Sequence, residues 1–596
     1  MTARWLVALA VVAAPADAQD PLAPLPDAPA SKPVVKPSPV PKKTAPEVIS
    51  PSQPATTSVP PPPVVQMVQV PTNWRGVFDA IRAEQWAAAQ AGITALGQNP
   101  LAPVAKAELY TARNSPRAEL QQLLALLAEA PDLPQAEQLL RMAVTRGAAE
   151  SELPYIAPAR RMLPLGEAPR RTRAQAVSGD PVADTLRAQL DPLIKADSAA
   201  DAELLFNQNA PYLTPEGRAE AAQRVAWAYY VVGRDADARR VADTGRAGAS
   251  GTWAAQAAWI SGLAAWRMND CNASSAAFRE VAGSTREQEL AAAAYYWAAR
   301  SEQACRRPRS VAPLLRAAAR SPESFYGLVA RETLGMDKHL PPLNLPPASR
   351  VEQLPNIQRS LRLAEIGEYR LADEMIRHQA RIGNPADHLA LIAFTRKISF
   401  GGVQYWLAHN GPAGVTVPAL ARYPMPNWTP DRGWRIDPSL AFAHARQESD
   451  FRPGAVSPAG AVGLMQVRPG TAGDLARQRG TVVGDLKVPS TNLEYGQSFI
   501  ELMRGNPATQ GQLVKVMAAY NAGPVPVSRW NYINDKGDPL LWIESLPYWE
   551  TRYYVPTVLR NMWVYETLRQ TGTPTLTQVA QHRWPAFPLS SPTAAR

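Results

Sequence analysis

This sequence predicts a mainly α protein: an array of paired helices, a shorter helical segment, and a compact helical domain at its C-terminus. Three observations carry that expectation. Residues from about 72 to 425 are rich in Ala, Leu and Arg, and strand signals are scarce there. Helical patterns recur in that stretch as pairs, with small residues alternating with Trp and Tyr at i, i+3, i+4 and i+7. A Pro- and Trp-bearing stretch without period, RYPMPNWTPDRGWRIDPS, then separates this region from the last domain.

Taken in order, residues 1–18 read as an export signal. Arg4 supplies the charge, Trp5 to Ala14 the apolar run, and Ala16-Asp17-Ala18 an A-x-A cleavage site. The apolar run is too short to anchor the chain across a bilayer. Residues 19–71 hold 16 of the chain's 59 prolines and read as an extended, disordered tether. Within 72–350 the pairs AEAAQRVAWAYYVVG/DADARRVADTG and WAAQAAWISGLAAWRMND/ASSAAFREVAG stand out, followed by ELAAAAYYWAARSEQA. Each helix–turn–helix unit spans about 34 residues, as in a tetratricopeptide-like α-solenoid. Residues 351–425 form a smaller helical linker domain, 426–572 the last compact domain, and 573–596 a loose tail.

The formal charge is +10. With an export signal and no nucleic-acid module, that balance argues against a nucleic-acid partner and fits anionic polymers such as cell-wall carboxylates. Cys271 and Cys305 are the only cysteines and form a candidate disulfide, since exported proteins meet an oxidising compartment. Two free thiols are the alternative, and geometry decides between them. No Cys/His spacing suggests a metal, and no cofactor is implied.

The chemistry concentrates in the last domain. Asp437-Pro438 signals a helix start, with Asp as cap and Pro in the first turn. Ala441, Ala445 and Glu448 follow at helical spacing, which aims the Glu448 carboxylate from a small apolar face. A carboxyl in such a wall should hold its proton at neutral pH and serve as a general acid. Asp450 lies two residues on and diverges from it, so no second carboxylate can be placed opposite Glu448. Gly460 and Gly463 free the backbone for close approach. The helix carrying Tyr520 stops at Asn521-Ala522-Gly523-Pro524, which leaves Tyr520 and Asn521 at a helix end facing a cleft.

Together the blocks ES at 448–449, GLMQ at 463–466, AYNAGP at 519–524 and ETRYYV at 550–555 closely resemble the soluble lytic transglycosylases. SPESFYGLVARETLG at 321–335 resembles that family's exit from its helical ring. The resemblance implies a U-shaped α-superhelical domain followed by a goose-lysozyme-like catalytic domain. It implies that Glu448 is a single catalytic acid/base and that Ser457 polarises the substrate. Met465, Gln466 and Asn521 would line a glycan cleft, Tyr520 would stand beside the acid, and Glu550 would close or support the groove. Phe499 departs from the family's usual Tyr and loses a hydroxyl in the cleft wall. The implied activity is lytic cleavage of peptidoglycan glycan strands in the periplasm, with 1,6-anhydromuramic acid ends. Glycan strands and other wall enzymes are both candidate partners of the helical domain; peripheral membrane association is open but not required. A hydrolytic muramidase on the same fold and a non-catalytic wall-binding scaffold remain alternatives at this stage.

Overall fold

The computed structural model describes residues 69–589. The expected signal peptide at 1–18 lies outside the described residues, as does the expected tether apart from residues 69–71. The chain divides into two compact units, one ending at Arg117 and one beginning at Ala118. The division falls inside the stretch expected to form a single array.

Among the described residues the first unit holds three helices, Trp74–Arg82, Trp86–Leu96 and Ala102–Thr111. Asn73 caps the first by accepting from the Gly76 amide at 2.8 Å. Val77, Phe78, Ile93 and Val104 form its buried core.

In the second unit, the clearest helical pairs are Pro215–Val231 with Asp235–Arg246, Gly251–Arg267 with Cys271–Ser284, and Gln288–Ala304 with Pro308–Ala318. The turns within these pairs use left-handed residues: Gly233, Asn269 and Arg306 have φ of 80°, 62° and 57°. Small residues let the helices approach closely. A Cβ on Gly262 would meet the Phe278 ring at 2.7 Å, and one on Gly245 would meet the Ala222 Cβ at 1.9 Å. Phe278 packs in turn against Trp259 and Trp297, with ring centroids 5.0 and 5.9 Å apart. The Cys271 helix runs antiparallel to its successor, so its N-terminus meets the end of the next helix. There a disulfide joins Cys271 to Cys305, with Cα atoms 5.5 Å apart.

The array is not continuous through this unit. Between Glu152 and Pro181 the chain has no helix, and Pro154, Pro158, Pro164 and Pro169 explain why. Part of this stretch, Leu163–Pro164, pairs antiparallel with Asn410–Gly411. Residues 351–421 contribute a separate apolar cluster that includes Ile357, Ile376, Phe394 and Leu407.

The expectation of a loose tail after 572 fails as far as the described residues extend. Helix Pro574–Ala580 buries Leu576 and Val579, three residues apart and so on one face. The Trp563 indole donates to Thr575 at 3.0 Å, and Trp584 meets Trp542 edge-on at 5.7 Å.

The paired helices are joined to the C-terminal domain by buried polar contacts. The Tyr326 hydroxyl donates to Glu544 at 2.9 Å, Tyr230 and Ser545 share a hydrogen bond of 2.9 Å, and Arg300 pairs with Asp538 at 2.6 Å. The Arg552 guanidinium stacks 3.7 Å from the Trp227 ring centroid. These contacts fix the start of the long helix Trp549–Arg569, which carries one wall of the site.

Candidate active site

The site is built on three helices and a tight loop. Helix Pro438–Ser449 starts as its sequence predicts: the Asp437 side chain accepts from the Ser439 amide at 2.7 Å, and Pro438 opens the first turn. Leu440, Ala441, Ala443 and Ala445 are fully buried. The helix stops abruptly because Asp450 and Phe451 take left-handed backbone, φ 54° and 61°, and the Phe451 ring turns into the core. Glu448 therefore sits in the last turn, half-buried.

The Tyr554 hydroxyl donates to Glu448 Oε1 at 2.6 Å. No arginine or lysine pairs with Glu448 among the described residues. Burial pushes its carboxyl up to about 7, and the nearby Glu550 carboxylate adds to the rise. The Tyr554 hydrogen bond opposes that rise because it favours the charged form.

The loop after this helix is held by short bridges, Val456 with Val462 and Val462 with Val467. The Ser457 hydroxyl accepts from the Ala461 amide at 3.0 Å, which leaves its own proton free to donate. Gly460 has φ 77° and open space at its Cβ position, so its backbone conformation requires glycine. Gly463 has φ 80°, and a Cβ there would stand 2.2 Å from Asn492 Nδ2. The close approach at Gly463 is thus made by the protein's own Asn492, and a ligand is not needed to explain this glycine.

Asn492 is buried, pins the loop at two points and ties it to the Leu486 carbonyl. Its amide nitrogen donates to the Val462 and Leu486 carbonyls, and its oxygen accepts from the Met465 amide, each at 2.8 Å. The Ser449 hydroxyl donates to the Leu464 carbonyl at 2.7 Å, tying the loop to the end of the Glu448 helix.

Met465 corrects the sequence expectation. Its side chain is fully buried, and a Cβ on Gly496 would lie 2.3 Å from its sulfur. The thioether fills the core and lines no cleft. What Met465 gives the site is its backbone carbonyl, which accepts from the Tyr520 hydroxyl at 2.6 Å. Gln466 is half-buried with φ 47°, and its amide nitrogen donates to the Gly463 carbonyl at 2.8 Å.

Tyr520 lies near the end of helix Leu513–Ala522. Its ring packs against His444 and Phe499, with centroids 4.5 and 5.2 Å away. Burial holds its phenol well above the usual range, and the Glu448 carboxylate adds to that. Phe499, expected to leave the cleft wall without a hydroxyl, is a packing ring against Tyr520. Asn521 donates to Glu550 Oε1 at 3.1 Å and accepts from the Thr551 hydroxyl at 2.6 Å. Glu550 is exposed. The structure thus gathers Glu448, Tyr520, Asn521 and Glu550 about one wall, with Ser457 and Gln466 on the adjoining loop.

Sequence reasoning missed Tyr554, His444 and Asn492. Tyr554 had a signal: it lies four residues after Glu550 on a helix, hence on the same face. His444 had the same relation to Glu448. Asn492 had no local signal, because its partners are distant in sequence.

The sequence model of the family described as "Transglycosylase SLT domain" matches residues 429–543. That match covers the stretch carrying Glu448, Ser457, Gln466, Tyr520 and Asn521. The match stops short of the Glu550–Tyr554 segment, so that part of the site lies beyond it. The soluble lytic murein transglycosylase of Salmonella typhimurium is 41% identical over 139 residues, 22% of this chain and 20% of that protein. The Escherichia coli K12 protein of the same name is 40% identical over 136 residues, 21% and 20% of the two chains. The similarity to these relatives thus spans about a fifth of their length. The crystal structure of the 70 kDa soluble lytic transglycosylase from Escherichia coli superposes with a TM-score of 0.51 at 18% identity. That superposition covers 86% of this chain and 99% of the other. It shows a shared fold: mainly helical, α-superhelical with a lysozyme-like C-terminal domain.

Proposed function

We propose that this protein is an exported lytic transglycosylase. It would cleave the β-1,4 bond between N-acetylmuramic acid and N-acetylglucosamine in peptidoglycan and leave 1,6-anhydromuramic acid ends. The observation that carries this reading is the state of Glu448. It is reachable, its carboxyl is pushed up to about 7, and a phenol contacts it where a cation would have held it ionised. A group with that affinity for protons can donate and then accept near neutral pH.

The cycle needs one carboxyl group. Protonated Glu448 gives its proton to the glycosidic oxygen, and the bond from that oxygen to C1 of the muramic acid breaks. The N-acetyl oxygen of the same sugar stabilises the charge at C1. The Glu448 carboxylate then removes the proton of the C6 hydroxyl, O6 bonds to C1, and Glu448 is protonated again. No water is consumed. Ser457 would orient the sugar beside the reacting bond, Gln466 and Asn521 would meet the glycan, and Glu550 would hold the rim of the groove through Asn521. Met465 drops out as a side-chain contact, and its carbonyl holds Tyr520 instead.

Among the described residues no helix is long and apolar enough to cross a membrane. The proposed location is the periplasm, and it rests on the export signal expected at residues 1–18. The proposed division keeps 19–71 as tether, 72–350 and 351–425 as the helical domains and 426–572 as the catalytic domain, with residues 573–589 added to its packing.

One observation favours a second reading. The Glu550 carboxylate is close enough to raise the affinity of Glu448 for its proton, and a second carboxylate could activate water, as in a hydrolytic muramidase. Mass spectrometry of murein digested by the full chain separates the two. A transglycosylase gives fragments one water lighter that borohydride does not reduce. Reducible fragments at the hydrolytic mass would overturn the proposal.

A further inference from the structure

His444 stands one turn before Glu448 on the same helix face and is 1% exposed. Its Nδ1 lies 2.7 Å from the Tyr554 hydroxyl oxygen, and that hydroxyl is the group that donates to Glu448 Oε1 at 2.6 Å. The other ring nitrogen, Nε2, is buried with no hydrogen-bond partner. The imidazole is wedged between the Tyr520 and Tyr554 rings, with centroids 4.5 and 5.8 Å away, and hydrogen-bonds to the site through one atom.

Which nitrogen carries the proton follows from this inventory. A proton on Nε2 would bury an unpaired donor and leave Tyr554 facing two acceptors, Nδ1 and Glu448. A proton on Nδ1 leaves only an unpaired lone pair at Nε2, the cheaper defect, and gives every remaining group a partner. The hydrogen bonds then run one way, from His444 Nδ1–H to Tyr554 and from Tyr554 O–H to Glu448.

We infer that His444 is a positioning residue for Glu448, acting through Tyr554: it orients the phenol so that its proton stays on Oε1 and the acid proton of Glu448 is carried on Oε2. The inference rests on the reading of Glu448 as the acid. An oxygen that already accepts the Tyr554 proton is the poorer place for a second one. Oε2 is thus the atom left to serve the glycosidic oxygen first and the C6 hydroxyl second. The device also steadies the carboxylate formed midway, since the phenol favours the charged form.

Burial holds the imidazole down at about 3, so His444 stays neutral throughout the working range and acts by direction, without adding charge. The titratable groups around the pair are few. Helix Trp549–Arg569 presents Tyr554 and Glu550, and helix Leu513–Ala522 presents Tyr520. Helix Pro489–Gly505 presents the apolar Phe499 through Tyr520. On the Glu448 helix itself, Arg446 turns away to the Arg422 carbonyl and Asn561.

The test compares His444→Leu and His444→Asn with the unaltered chain, and uses Glu448→Gln as control. Turnover of soluble peptidoglycan fragments is followed across pH, and thermal melts verify folding. Leucine fills the space without a donor, whereas asparagine can place its amide nitrogen near the position of Nδ1. In His444→Leu, kcat should fall roughly tenfold with KM within about twofold. With the phenol free to turn from Oε1, the carboxylate loses support and Glu448 keeps its proton longer. The high-pH limb of kcat/KM should then move up by about one unit. His444→Asn should restore the limb and most of kcat. An unmoved limb in a folded His444→Leu protein, or an asparagine variant no better than leucine, would overturn the inference. Undiminished cleavage by Glu448→Gln would instead overturn the reading of the acid on which it rests.

Discussion

The solenoid and the catalytic domain each bury a glutamate whose carboxyl is pushed up to about 7, yet the two groups are set in opposite ways. Glu289, in helix Gln288–Ala304, accepts from the backbone amides of Phe325 at 3.0 Å and Tyr326 at 3.4 Å. The Arg560 and Arg171 cations also act on it. It is 6% exposed and closes the start of helix Phe325–Thr333 from the side. Glu448 has one phenol, no cation, and a path to solvent. An elevated proton affinity is therefore no signature of an acid catalyst by itself. Burial produces it in both places, and accessibility with few competing partners is what separates the working group from the structural one.

Removing each carboxylate should expose the difference. Glu289→Ala would strand two buried amide donors beside unbalanced arginines and should cost about 3 kcal/mol. A fall in the thermal midpoint with kcat per folded molecule within about twofold is the expected result. Lost cleavage in a protein of undiminished stability would break the comparison, since Glu289 would then serve the reaction.

A smaller effect of opposite sign is expected at Glu448. Its folded value of about 7 exceeds the ordinary 4.5, so the folded state binds that proton more tightly than the unfolded chain. The resulting stability is fully present below 4.5 and is lost as pH rises through about 7. Glu448→Gln does not titrate there. It should exceed the unaltered protein by roughly 2 kcal/mol at pH 8, allowing for the half-exposed position, and the gap should close near pH 4. Denaturant unfolding at the two pH values measures both. A gap that is absent at pH 8, or that widens toward acid, would mean the carboxyl is held ionised.

The helices were legible because their caps, turns and periodicity are local. Asp437-Pro438 starts a helix wherever it occurs in such a context, and AYNAGP ends one. Glu448 was legible because its neighbours at i−3 and i−7 are small. Met465 misled because a thioether suits a core and a cleft equally, and only Gly496, thirty-one residues on, decides which. Asn492 acts on groups brought near by tertiary packing, and no spacing in the chain announces that; the spacing of His444 from Glu448 was visible, but its partner Tyr554 comes from a helix distant in sequence. The packed segment after 572 was misread because two apolar residues, Leu576 and Val579, are too short a pattern to stand out.

The central claim is that one carboxyl group performs the bond cleavage, and the most direct measurement is a peptidoglycan zymogram of Glu448→Gln beside the unaltered chain. The account predicts a clearing band from the unaltered protein and none from the variant, while the variant still sediments with insoluble murein. A band of equal intensity from the variant would contradict it.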